Sequence, residues 1–299
     1  MKAIDLFAGC GGMSLGFEQA GIDVVAAFDK WQPAIEIYRA NFNHPIFDKD
    51  LSEGDSVDII KSYAPDLIMG GPPCQDYSIA GKREPGERAN LTIRFGQIVS
   101  EARPTWVVFE NVYNIERFGT LPKLKSMLKK AGYGLTAMVI DASRCGVPQA
   151  RKRFIMVGCM DAKDGFLDEA LKKDFSKRQM TVRDYLGNRL GTQYYYMHPR
   201  SYARRAVFSI DEPSATIRGI NRPIPGNYKH HHADAAEIRD GVRALTFKER
   251  SYLQSFPDSF QFPGAKTNVE LAIGNAVPPA LANYVARHIL DYEKTHTEQ

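Results

Sequence analysis

Compact apolar runs recur through the first 160 residues: KAIDLF (2–7), VVAAF (24–28), DLIMG (66–70), WVVFE (106–110), LTAMVI (135–140) and FIMVG (154–158). Each is bounded by Gly, Pro or charged residues and lacks the apolar–polar alternation of a half-exposed strand, which predicts strands buried on both faces. Between them, PAIEIYRANF (33–42) and LPKLKSMLKKAG (121–132) carry helical spacing. In the second, Leu121, Leu124, Leu128 and Ala131 mark one face and Gly132 supplies a stop. This alternation predicts a doubly wound, mostly parallel α/β sheet, in which ligands bind outside the carboxyl ends of the strands. After about residue 180 the pattern changes. Residues 187–242, rich in Tyr, Arg, Pro, Gly and His, show no sustained period and read as a small loop-rich module. Helical patterns return at LTFKERSYLQSF (245–256) and PPALANYVARHILDYEK (278–294), where Pro279 suits a first helical turn.

Composition adds few constraints. A chain of 299 residues suits one large domain with a smaller one. It has no apolar run of ~18 residues and no signal-peptide pattern, so the expectation is a cytoplasmic protein without a membrane partner. The four cysteines (Cys10, Cys74, Cys145, Cys159) form neither C-x-x-C pairs nor zinc spacing, which argues against disulfides and a structural metal. The charge distribution is more informative. Residues 187–250 hold 11 Lys/Arg against 6 Asp/Glu, while the rest of the chain holds 28 against 29. A positive excess confined to one segment fits a polyanion-facing module, and equally a solvated loop region.

Candidate chemistry gathers at the predicted strand ends. DLFAGCGG (5–12) places glycines just past the first strand, where backbone can approach a ligand closely. Its G-x-G-G spacing is a poor dinucleotide fingerprint. Asp29 follows the next strand at the distance where such sheets hold ribose hydroxyls, with Asp50 in a similar place. A tight turn with helix-capping acids explains the same residues. GGPPCQDYS (70–78) puts Cys74 behind two prolines that stiffen its loop. A thiol of ordinary pKa about 8.5 needs cations or a helix N-terminus to become a useful thiolate, and Lys82, Arg83 and Arg88 follow closely. WVVFE closes on Glu110, whose partial burial would raise its pKa and suit it to proton donation. In GVPQARKRF (146–154), Gln149, Arg151 and Arg153 alternate and would point the same way in an extended segment. Arginine forks there suit phosphate oxygens or a pyrimidine carbonyl, although a charged edge strand is the simpler reading.

Six motifs, DLFAGCGG, GGPPCQDYS, ENV, QARKR, RALTFKERSYLQSFPDSF and AIGNAVPPALA, stand in the order found in DNA cytosine-5 methyltransferases. The chain resembles the bacterial restriction-modification type of that family everywhere except 187–242. The resemblance implies an S-adenosylmethionine-dependent methyltransferase (Rossmann-like) fold with a catalytic domain of residues 1–186 and 264–299 and a recognition domain of 187–263. It implies that Cys74 attacks C6 of a flipped cytosine, with Glu110 at N3, Arg153 and Arg151 at O2, and Gln75 beside the extruded base. S-adenosylmethionine, leaving as S-adenosylhomocysteine, would be held by Phe7, Ala8, Gly9, Cys10, Gly11, Gly12, Asp29, Lys30, Asp50, Leu51, Gly71, Pro73, Leu91, Asn275 and Val277, with no metal. The family often has an aromatic directly after the ribose acid, whereas this chain has Lys30 and then Trp31. Cys10 is expected to line the cofactor and not to act as a second nucleophile. Duplex DNA would be met by Ser78, Lys82, Arg88, Gln149, Thr216, Arg218 and Arg222. A cognate restriction endonuclease is the implied partner, and a monomer the implied state.

Three other readings share some of these features. A tRNA-cytosine methyltransferase of the same family carries most of the motifs but typically has a Cys-Phe-Thr tripeptide, absent here. A non-catalytic DNA-binding relative would usually lose the Cys or the Glu, and this chain keeps both. A nicotinamide dehydrogenase, suggested only by the glycine loop, gives Cys74 and Glu110 no joint role. Asp76, an acid two residues after the proposed nucleophile, has no assigned role in any of them.

Overall fold

The computed structural model describes every residue except 54–55, 74–88, 118, 202, 240 and 298–299, and only the backbone of 89, 90 and 297. The strand-forming runs assemble into a seven-stranded sheet: β1 (Lys2–Leu6), β2 (Asp23–Asp29), β3 (Ile46–Asp48), β4 (Leu67–Gly70), β5 (Trp106–Val112), β6 (Tyr133–Asp141) and β7 (Lys152–Met160). Their order is β3-β2-β1-β4-β5-β7-β6. β1 to β5 are parallel, and β7 runs antiparallel to both β5 and β6. All six predicted strands are present. The short β3 adds a seventh.

Strand alternation sorts the core onto two faces. Ala3, Leu67, Met69, Trp106 and Val108 point to one face, and Ile4, Ile68, Val107 and Phe109 to the other. The helices between the strands are α1 (Gly12–Ala20), α2 (Gln32–Arg39), α3 (Ser56–Ser62), α4 (Ala89–Ala102) and α5 (Thr120–Lys130). α6 (Asp168–Lys173), α7 (Val182–Leu186), α8 (Phe247–Leu253), α9 (Lys266–Asn275) and α10 (Pro279–Thr297) follow. Phe17 of α1 packs with Leu281, Val285 and Ile289 of α10 on the first face. Phe95, Ile98, Leu124 and Leu128 of α4 and α5 cover the second.

Two glycines let α1 come close to α10 and to the residues just before it. A Cβ on Gly16 would stand 2.3 Å from the Pro279 carbonyl oxygen, and one on Gly12 2.1 Å from that of Val277. Both neighbours are backbone, so neither can yield cheaply. Gly12→Ala is expected to destabilise the fold by about 1–3 kcal/mol, the usual cost of overpacking. Urea unfolding of variant and wild type checks this.

The segment expected to be loop-rich does contain regular structure. A second sheet, ordered β10-β8-β9, comprises β8 (Tyr194–Tyr196), β9 (Val207–Ser209) and β10 (Arg243–Ala244). Tyr195, Phe208 and Ile210 from this region share a core with Ile35 and Tyr38 of α2, Leu253 of α8 and Ile273 of α9. Strands of two or three residues are too short to show a period in sequence.

Candidate active site

The carboxyl ends of β1, β2, β4 and β5 open onto one cavity of about 650 Å³. At one end are the loop after β1 and the end of β2. Phe7 takes a left-handed φ of 60° and Gly9 one of 55°, and a Cβ on Gly9 would meet nothing within 4 Å. The backbone here is therefore bare toward the cavity, which suits close approach by a ligand. Asp29 is mostly buried. Its two oxygens accept the Gly9 N–H (2.8 Å) and the Trp31 N–H (2.8 Å). Burial raises its pKa, opposed by these backbone donors and by Lys30. Lys30 reaches across to Asp50 at 2.7 Å. Burial opposes the Asp50 charge, but Lys30 and the Ser52 N–H and hydroxyl outweigh it and hold its pKa at about 2. Trp31, Leu51 and Leu91 add apolar lining. An aromatic ring is thus supplied one position later than the family pattern.

The opposite wall comes from the far end of the chain. Asn275 ends α9, and Gly274, Ala276 and Val277 line the cavity beside it. Cys10 is buried, with its thiol 3.7 Å from the Ala272 carbonyl. Burial pushes that thiol up to about 12, as it does Cys145, and Cys159 to about 11. All three are poor nucleophiles. Cys74, Gln75, Ser78, Lys82 and Arg88 lie outside the described residues, as does Asp76. Pro72 and Pro73, immediately before Cys74, line the cavity with Gly71.

Glu110 stands at this end, buried near the carboxyl end of apolar strand β5. The reversed direction of β7 brings its first residues to the carboxyl edge of β5, with Arg153 opposite Val112. Arg153 Nε then pairs with Glu110 Oε1 at 2.9 Å. Burial raises the Glu110 pKa, with Arg153 and then Arg151 pulling it back. A Cβ on Gly71 would lie 2.9 Å from Glu110 Oε2, so glycine leaves the carboxylate its room. The neighbouring Asn111 donates its side-chain amide to the Pro72 carbonyl (2.9 Å), tying the end of β5 to the cysteine loop.

Alternation in QARKR holds, since Ala150 and Lys152 are exposed while Gln149, Arg151 and Arg153 turn inward. Their partners differ, however. Gln149, expected at DNA, is fully buried: its amide donates to the Leu253 carbonyl and Gln254 Oε1 and accepts the Ile217 N–H. No face of it is left for a ligand. Arg151, expected beside the base, lines the cavity but gives its Nη donors to the carbonyls of Ile217 (2.9 Å), Gly274 (3.0 Å) and Ala276 (3.0 Å). Only Arg153 is turned toward Glu110. Thr216 bonds the Ala150 carbonyl (2.8 Å) and Arg218 the His198 carbonyl (2.6 Å), while Arg222 is exposed.

Several cavity residues escaped the sequence reading, among them Met13, Lys49, Leu271 and Asp5. Asp5 is buried within β1 and accepts the Ser14 hydroxyl at 2.6 Å. Burial raises its pKa to about 7, with Ser14 opposing and the charge of Asp29 reinforcing the rise. An unfolded Asp titrates near 4, so Asp5 supports stability fully below that pH, and the contribution is lost as pH rises toward 7. Asp5→Asn should therefore gain stability relative to wild type progressively between about pH 4 and 7 and no further above. Urea unfolding across that range checks it.

The family model for C-5 cytosine-specific DNA methylases matches residues 1–291. Type II methyltransferase M.HindV of Haemophilus influenzae is 53% identical over 297 residues, covering 98% of both chains. M.HgiDI of Herpetosiphon aurantiacus is 52% identical over 98% of this chain and 95% of its own. Among solved structures, S. pombe Dnmt2 methyltransferase superposes with a TM-score of 0.73 at 19% identity, covering 98% of each chain. A putative DNA modification methyltransferase of an E. coli prophage does so at 0.70 and 23%, covering 97% of this chain and 99% of that one. At those identities the structures speak to the fold alone. The cavity, its paired Glu and Arg and the family match over residues 1–291 together make this chain a member of the C-5 cytosine-specific DNA methylases, an S-adenosylmethionine-dependent DNA cytosine-5 methyltransferase.

Proposed function

We propose that this methyltransferase modifies a flipped cytosine within one specific duplex sequence, through a covalent bond between Cys74 and C6, as the modifying half of a Type II restriction-modification system. The observation that carries the reading is the buried Glu110–Arg153 pair at the Pro72–Pro73 end of the cavity, with the Asp29–Gly9 cradle at the other. Cytosine C5 is a poor nucleophile. Addition of the Cys74 thiolate to C6 makes it an enamine carbon and divides one difficult step into two easier ones. Glu110 donates a proton or hydrogen bond at N3 as charge develops there, which its raised pKa favours. Arg153 keeps the carboxyl in place and serves O2, and Gln75 shields the extruded base. After transfer, loss of the C5 proton re-forms the C5–C6 double bond and expels the thiolate.

S-adenosylmethionine, when bound, supplies the electrophilic methyl group and leaves as S-adenosylhomocysteine. The cavity fits it. Bare backbone at Gly9 suits its close approach, Asp29 retains lone pairs that would take its ribose hydroxyls, and Trp31, Leu51 and Leu91 would offer apolar surface to its purine. Asn275 and Val277 close the wall. Lys30 holds Asp50 in position and acts through it. Residues 187–263 form the recognition domain against a catalytic domain of 1–186 and 264–299. Arg222, Arg218 and Thr216 face DNA, with Ser78, Lys82 and Arg88 from the cysteine loop. Gln149 and Arg151 support this surface from beneath. A cognate endonuclease cutting the same site, a monomeric state and a cytoplasmic location complete the reading.

Bisulfite sequencing of duplex DNA incubated with the protein and S-adenosylmethionine tests it. A single protected cytosine context is expected. Protection at all cytosines would remove sequence specificity, and preferential transfer to tRNA would overturn the choice of substrate.

A further inference from the structure

The segment between Ile217 and Asn221 is stapled to α9 from below. Arg151 donates to the Ile217 carbonyl, and Arg250, buried on α8, donates to those of Arg218 and Ile220. Arg250 also pairs with Glu270 of α9, itself buried, and Glu270 accepts the Asn221 side-chain amide at 2.7 Å. The two backbones touch. A Cβ on Gly274 would stand 2.1 Å from the Gly219 N, and one on Gly219 2.5 Å from a Leu271 methyl. The same helix end is also cavity wall: Leu271, Gly274, Asn275 and Ala276 all line it, so Leu271 and Gly274 meet both the loop and the cavity.

A buried ion pair is a poor device for stability alone, because desolvation of both charges offsets their attraction. Its distinguishing property here is that both members also hold one loop, from which Ile220 and Arg222 are exposed. That loop carries Arg218 and Arg222, and the α9 residues it packs against, Leu271 and Gly274, line the cofactor cavity.

We propose that Arg250 and Glu270 are positioning residues that join loop 217–222 to the cavity wall, so that DNA engagement by the loop and occupation of the cavity strengthen each other. This rests on the proposed function for the identity of the two ligands. Coupling between sites is reciprocal, and its usual range starts at about 5-fold in affinity.

The test uses the full chain, S-adenosylhomocysteine as probe and a duplex bearing the sequence found by bisulfite mapping. For wild type, the duplex should tighten S-adenosylhomocysteine binding by about 5-fold or more in calorimetry, and a duplex of unrelated sequence should not. In R250M/E270L, which keeps side-chain bulk, the probe's affinity without DNA should stay within about 2-fold while the coupling falls to near 1. The KM for DNA should rise more than kcat falls, and methylation should spread to near-cognate sites. Arg250→Lys, which keeps the charge facing Glu270, should restore part of the coupling. If the double variant does not fold, Asn221→Ala decides, with the same loss of coupling expected on a smaller scale. Unchanged coupling and site preference in a folded variant would reduce the pair to packing. A wild type that methylates the duplex but shows no coupling sinks this inference alone, whereas one that methylates no duplex sinks the functional reading beneath it.

Discussion

Cys74→Ser should reduce methyl transfer by roughly 10⁴-fold or more, the scale of loss when a covalent nucleophile is deleted. A serine hydroxyl is almost never ionised near neutral pH, whereas a thiol in a cationic loop is readily made into thiolate. The other three cysteines offer no substitute, because burial holds each thiol at about 11 or above. The measurement is transfer of labelled methyl to duplex DNA, with S-adenosylhomocysteine affinity as control, since that should change little. A duplex with 5-fluorocytosine at the target, which cannot lose a proton from C5, should trap wild type as a denaturation-resistant adduct and leave the variant free. Activity within tenfold of wild type would remove Cys74 from the mechanism.

Glu110→Gln is the second large effect, with kcat expected to fall about 10²–10⁴-fold, the span of a lost general acid. The sign of its pH dependence follows from its raised pKa. Glu110 is a donor while protonated, so wild-type kcat should decline as pH rises through that pKa, and the glutamine variant should lose this limb. The substitution also leaves Arg153 buried without its counter-charge, which costs stability by itself. Thermal unfolding measured alongside separates the two effects. A variant that is destabilised yet keeps kcat would make Glu110 structural only.

The frame of this site was legible because strong local signals coincide with it. Apolar runs marked six strands, and glycines, prolines and Glu110 stood where those runs stopped. What escaped depends on contacts distant in sequence. Nothing local tells that Gln149 meets Leu253 and Gln254, or that Arg151 meets Gly274 and Ala276, more than 100 residues away. Alternation set their direction correctly and could not supply their partners. Asp5 was hidden for the opposite reason. An acid inside an apolar run looks like a strand end, yet this one is buried with Ser14 nine residues on. Arg250 and Glu270 lie on separate helices with no shared period.

The glycine contact between α1 and α10 has a consequence for how the protein is made. α1 leaves the ribosome about 260 residues before α10, and until then Phe17 lacks the Leu281, Val285 and Ile289 that cover it. The wall bearing Asn275 and Val277 is equally late. A nascent chain that still lacks α9 and α10 therefore has strands β1 to β7 but neither a closed cofactor cavity nor a covered first helix. Exposed apolar surface of that kind is what chaperones hold. The cofactor cavity can therefore close only after α9 and the residues that follow it have been made.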